Sequence, residues 1–107
     1  MDDVFLRQMP HSVEAEQAVL GSMLIDNRCV ANVIGALHPQ DFYVDANRDI
    51  FETISGMFNY SMVIDPVTVL DQMKVEGVYK DSSPNYLLQL MDITPTAANV
   101  IEYCSIV

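Results

Sequence analysis

The sequence predicts an all-α fold, a compact orthogonal bundle of about six short helices, on three observations. Helix-start residues recur along the chain, strand-type alternation is nearly absent, and the breakers are spaced too closely for long parallel helices. The first helix is expected over Val13–Ile25, with Ser12 as its cap and Glu14 and Glu16 near the positive end of its dipole. Within it, Ala15, Ala18, Gly21 and Ser22 form a small-residue face that lets another helix approach closely. Gly21 costs about 1 kcal/mol of helix stability relative to alanine, so a packing reason is expected for it. Asp26 starts a second helix that runs through Leu37, and His38-Pro39 stops it.

Asp45 or Asn47 opens the third helix. There Ile50, Phe51, Ile54, Met57 and Phe58 form the best amphipathic stripe of the chain. Three later starts share one device, a capping residue followed by proline: Asp65-Pro66, Ser83-Pro84 and Thr94-Pro95. The helix after Asp65 ends near Gly77, a suitable left-handed residue. Asn85 to Asp92 follows, and a last helix runs from about Thr96 to the end. Val19, Leu20, Leu24, Val33, Leu37, Phe42, Ile50, Phe51, Ile54, Leu70, Leu87, Leu90 and Val100 are the expected core.

Composition restricts function. The chain has 107 residues, half of them apolar, and a formal charge of −10 from 5 basic and 15 acidic residues. A domain of this size buries about 65% of its unfolded surface, enough for a core without disulfide staples. Arg7, Arg28, Arg48, Lys74 and Lys80 are scattered singly, so no basic stripe exists to follow a phosphate backbone. Direct nucleic-acid binding is not expected, and neither is docking on anionic membranes. The opening MDDVFL is acidic where a signal peptide is basic, and the apolar runs are too short for a membrane span. Cys29 and Cys104 lie far apart without metal or redox spacing and read as small core hydrophobes in a reducing compartment.

Candidate chemistry is sparse. The glycines are isolated, which leaves no phosphate-cradling loop. His11 and His38 sit beside prolines in expected loops, with no nucleophile or carboxylate partner in the sequence. Glu14 and Glu16, two apart on a helix, point to different sides, so a carboxylate pair is not formed. Asp41, Asp45 and Asp49 lack cation-loop spacing and read as a solvated acidic face. The aromatics Phe42, Tyr43, Phe51, Phe58, Tyr60, Tyr79, Tyr86 and Tyr103 are not interleaved with a basic cluster and read mostly as core rather than base-stacking platforms. No catalytic, cofactor-binding or metal-ligating residue is assigned. A small carboxylate hydrolase finds no pair of groups at catalytic spacing.

Five blocks in order nevertheless carry a resemblance. Pro10-His11-Ser12 followed by VEAEQAVLGSMLID is the first, and Asp41-Phe42-Tyr43 with Ile50-Phe51 the second. Val63-Ile64-Asp65 with Thr68-Val69 forms the third, and Tyr86-Leu87 with Leu90 the fourth. Pro95-Thr96-Ala97-Ala98-Asn99 with Tyr103 and Ile106-Val107 closes the series. Together they closely resemble the N-terminal domain of bacterial replicative DNA helicases of the DnaB family. The chain departs from that pattern at Met9, where a proline is usual, at Asn47, where histidine is usual, and at Ser82-Ser83-Pro84, which replaces a glycine pair.

The resemblance implies an N-terminal arm over residues 1–9 and a helical head over 10–107, with a helical hairpin and an ATPase domain beyond Val107. It implies a bacterial cytoplasmic protein whose N-terminal domain forms a collar on a hexamer, self-associates there, and helps recruit primase and the helicase loader. ATP and Mg would be cofactors of the whole protein and not of this part. The rival expectation is a free-standing acidic helical adaptor, or a phage-encoded mimic, that binds primase or the helicase.

Overall fold

The computed structural model describes residues 10–94 and 96–107, with side chains from Val13 onward, so the expected arm over residues 1–9 and the side chain of His11 lie outside the described residues. The described residues form six α-helices and two short 3-10 turns, without strands: α1 Pro10–Ile25, α2 Val30–Ala36, α3 Asp45–Asn59, α4 Pro66–Glu76, α5 Ser83–Asp92 and α6 Val100–Ile106. The 3-10 turns, Asn27–Cys29 and Pro39–Asp41, flank α2. α1 is the axis of the bundle: it packs along α5 and α6 and also meets α3.

The local signals work best where a side chain can close its own helix. Asp65 accepts from Thr68 N–H at 2.9 Å while the Thr68 hydroxyl accepts from Asp65 N–H at 2.9 Å, a reciprocal cap with Pro66 at the first helical position. Gly77 ends α4 at φ 78°, with Val78 N–H donating to Met73 O at 3.0 Å. The same end motif closes α3 on a residue with a Cβ. Ser61 sits at φ 57°, and Met62 N–H donates to Met57 O at 2.9 Å. Asp26 caps the turn before α2 by accepting from Arg28 N–H, and a two-pronged pair with the Arg28 guanidinium holds its carboxyl below the usual range.

Four local expectations are corrected. α1 begins at Pro10, so Ser12 lies inside the helix rather than at its cap, and no acid occupies the first turn. Ser83 is likewise inside α5; its hydroxyl reaches backwards to accept from Lys80 N–H at 2.9 Å, closing the preceding turn. Thr94 does not head a helix, because α6 begins only at Val100. There Ala98 N–H turns to the Thr96 hydroxyl at 3.2 Å, a local bond that competes with helical pairing. Asp26 caps a 3-10 turn and α2 follows it, ending at Ala36 with Leu37 just outside.

The core follows the expected stripe with one shift. Ile50, Phe51, Ile54 and Met57 are buried, and the Phe42 and Phe51 rings stack with centroids 4.7 Å apart at 32°. Phe58, the last member, is 40% exposed one residue before the end of α3, although its neighbour Met57 is buried. In α4, Val69 and Met73 face inward while Leu70 is only half-buried against the core. That helix carries apolar residues on both faces, so its periodicity alone does not choose the inner one.

Gly21 has the packing reason its sequence position demands. A Cβ there would overlap the Leu90 carbonyl and the Thr94 side chain, so its absence lets α1 and the end of α5 come together.

Candidate functional site

The densest polar arrangement is internal. Glu16, on α1, is buried at 1% exposure, and its carboxylate accepts from Tyr43 N–H at 2.6 Å, Val44 N–H at 3.3 Å and the Asn47 amide at 2.9 Å. Val44 is the N-cap of α3 and offers no capping oxygen, so α1 supplies the acceptor from outside the helix. The negative charge also meets the positive end of the α3 dipole. Asn47 passes the chain on, because its Oδ1 accepts from the Tyr86 hydroxyl of α5, and Gln17 Nε2 donates to the same hydroxyl at 3.3 Å. Burial raises the Tyr86 hydroxyl pKa, the Gln17 and Asn47 hydrogen bonds lower it, and the Glu16 charge raises it, with a net upward shift; the group therefore stays a donor.

This network joins α1, α3 and α5 at one point. With three donors on it, the Glu16 carboxylate is committed as an acceptor, and its role is to hold helices in register. The sequence reading put Glu14 and Glu16 on different sides of a first helical turn, both favoured by its dipole; the first turn of α1 lies earlier, and the Glu16 carboxylate serves the start of α3. Glu14 instead borders a groove on α1 and α6, beside Gln17, Ile93, Tyr103 and Ile106. Sequence spacing held one usable signal, a glutamate three, four and seven residues before Val19, Leu20 and Met23 and so on the apolar side of α1, but its partners lie 27 to 31 residues away.

The other candidate residues disperse. Asp41 accepts from His38 N–H at 2.8 Å and closes its own turn, whereas Asp45 pairs with Arg48 at 2.8 Å. Asp49 borders a separate cavity of about 360 Å³ floored by Val44, Ile50, Met73 and Val78. Among the described residues, no group of three His, Cys, Asp or Glu side chains is placed to hold a metal. Cys29 and Cys104 are free and buried in the core; desolvation, with the nearby Asp26 charge, pushes the Cys29 thiol from 9.0 up to about 11, and burial raises Cys104 as well. The aromatic expectation is corrected in part: Tyr43 and Tyr60 point into solvent, and Tyr79 lies under the Lys74 ammonium at 4.9 Å. No helix among the described residues is long and apolar enough to cross a membrane.

Comparison with known proteins gives a consistent result. A family model described as DnaB-like helicase N terminal domain matches residues 8–107. The replicative DNA helicase DnaB of Geobacillus stearothermophilus is 36% identical over 109 residues, covering all of this chain and 24% of its own length. Its counterpart in Leifsonia xyli subsp. xyli (strain CTCB07) is 32% identical over 102 residues, 94% of this chain and 22% of that protein. The Mycobacterium leprae (strain TN) counterpart is 35% identical over 96% of this chain and 17% of its own length. The chain therefore spans less than a quarter of each of these relatives. In three dimensions the fold is similar to the crystal structure of the N-terminal domain of DnaB helicase from Mycobacterium tuberculosis, with a TM-score of 0.86 and 35% identity over 92% of this chain and 69% of that one.

Proposed function

The chain belongs to the DnaB-like helicase N-terminal domain family, and we propose that it acts as the non-catalytic collar of a bacterial replicative DNA helicase in the cytoplasm. On this reading residues 10–107 form the globular head and residues 1–9 an arm. The head supports assembly of the ring and recruits primase and the loader, while ATP and Mg serve a separate motor domain of the same protein.

The observation that carries the reading is the likeness, in sequence and in three dimensions, to helicase N-terminal domains over nearly the whole described bundle. The interior fits a scaffold. The buried Glu16 and Asn47 and the half-buried Tyr86 are spent on fixing three helices against one another, which gives a rigid body on which partners can assemble. The acidic surface suits protein partners better than DNA.

The test is a chimera in which this chain replaces the matching segment of the Geobacillus stearothermophilus relative. Ring assembly and unwinding are expected to persist. A folded chimera that stays monomeric overturns the collar reading and favours the acidic adaptor. The isolated 107-residue chain is expected to sediment as a monomer or weak dimer, since −10 on each copy opposes association. It should hydrolyse no ATP. A persistent hexamer at micromolar concentration would show that the head alone assembles the ring.

A further inference from the structure

One edge of the bundle presents apolar side chains that stay exposed among the described residues. Tyr60 and Val63, in the turn after α3, and Val67 and Val75, on α4, are each between 68% and 82% exposed, and Met62 is 42% exposed. Val67, Asp71 and Val75 are spaced by four and share one helix face, opposite the buried Val69 and Met73. Local structure does not ask for them. Valine is a weaker helix former than alanine, lysine or glutamate, and an outer helix face is ordinarily polar. The turn itself holds Ser61 in the left-handed region, between the outward-facing Tyr60 and Met62. Exposed valines in a row, beside a turn of unfavourable backbone geometry, have the character of an interface.

Charge selects the occupant. Asp71 lies midway between Val67 and Val75, and Asp65 heads the helix. The cation on this face, Lys74, is drawn over the Tyr79 ring. Arg28 and Arg48 are paired with Asp26 and Asp45 elsewhere. A second copy of this chain would bring −10 against −10, and a phosphate backbone or anionic lipid would meet the same repulsion. The two valines are two helical turns apart, about 12 Å at 1.5 Å per residue, the spacing at which a helix laid alongside offers apolar anchors one and two turns apart.

We propose that the outer face of α4 and the α3–α4 turn dock a basic amphipathic helix of a partner protein, with apolar residues against Val63, Val67 and Val75 and a basic residue against Asp71. This rests on the reading of the chain as a partner-recruiting domain and gives that recruitment a surface.

The probe is a synthetic 18-residue helix with leucines at one-turn spacing and lysines elsewhere, titrated into the nitrogen-15-labelled 107-residue chain. Backbone signals of residues 60–75 are expected to shift. Val67→Ser with Val75→Ser, and separately Asp71→Lys, should weaken binding at least tenfold without lowering the melting temperature, whereas Ile101→Ser, at an exposed apolar position on α6, should leave it unchanged. A version of the peptide with glutamate for lysine should not bind. Shifts spread over all acidic surfaces, or an equal loss in Ile101→Ser, would overturn the proposal. So would shifts of residues 60–75 that appear on concentrating the chain alone, since a second copy would then be the occupant. If the chimera fails to form rings while the peptide still docks on residues 60–75, the collar reading falls and the docking face stands.

Discussion

The Glu16 carboxylate accepts a hydrogen bond from the Asn47 amide at 2.9 Å, across 31 residues of sequence and with both residues at or below 1% exposure. Asn47 meets Glu16 with a donor and Tyr86 with an acceptor, the two-sided requirement that a neutral histidine also satisfies. Asn47→His is therefore expected to keep the fold within about 1 kcal/mol, whereas Asn47→Leu, which leaves the Tyr86 hydroxyl without its acceptor, should cost about 2–4 kcal/mol. Glu16→Ala should cost about 3 kcal/mol by orphaning donors at the start of α3. Urea unfolding followed by circular dichroism measures all three; equal stability of Asn47→Leu and Asn47→His would remove the network's role.

Two glycines in helices should respond with opposite sign. Gly21→Ala gains helix propensity but drives a methyl into the Leu90 carbonyl and Thr94, so a net loss of about 1–3 kcal/mol is expected. Gly35→Ala meets nothing within 4 Å and should stabilise by about 0.5–1 kcal/mol. Thermal melts of the two variants, run side by side, check the contrast.

Ser61 occupies a helix-ending position with φ 57°, where glycine carries no Cβ penalty. Ser61→Gly should raise stability by up to about 1 kcal/mol. A fall in the denaturation midpoint would mean that the serine contributes something the turn geometry does not show.

Phe51, 1% exposed and stacked on Phe42, should cost about 3–5 kcal/mol when truncated to alanine, a large part of the stability of a domain this size. An unchanged melting temperature would contradict its place in the core.

Alkaline pH should weaken the fold through Cys29. Its thiol is raised from 9.0 to about 11 in the folded chain, so the folded state holds its proton more tightly than the unfolded state does. The contribution is fully present below about pH 9 and is lost as pH rises toward 11. Tyr86 and Cys104, also raised, act in the same direction. Denaturation midpoints at successive pH values should fall across that window, and Cys29→Val should make the fall shallower.

Most of the helical plan was legible in the residues, because its signals close within three or four positions. Asp65 and Thr68 cap each other, Gly77 supplies a left-handed residue, and the Ile50–Met57 stripe repeats at the helical period. Family membership was legible for a related reason: the ordered blocks record which residues such a plan retains. The misplaced start at Ser83 has another cause: a serine hydroxyl bonds whichever backbone group is nearest, here one behind it, and composition does not say whether that group lies ahead or behind.

The site depended on the tertiary structure. Glu16 read as an ordinary first-turn acid until α3 was brought against α1, because its donors lie on segments 27 or more residues away. Gly21 announced a close approach but not its partner, Thr94. For α4, valines on two faces left the choice of inner face to packing, which buried Val69 and Met73 and left Val67 and Val75 in water. Hydrogen bonds that end a helix are local and can be read along the chain; which buried group satisfies a distant donor, and which apolar face stays uncovered, is decided only when the helices meet.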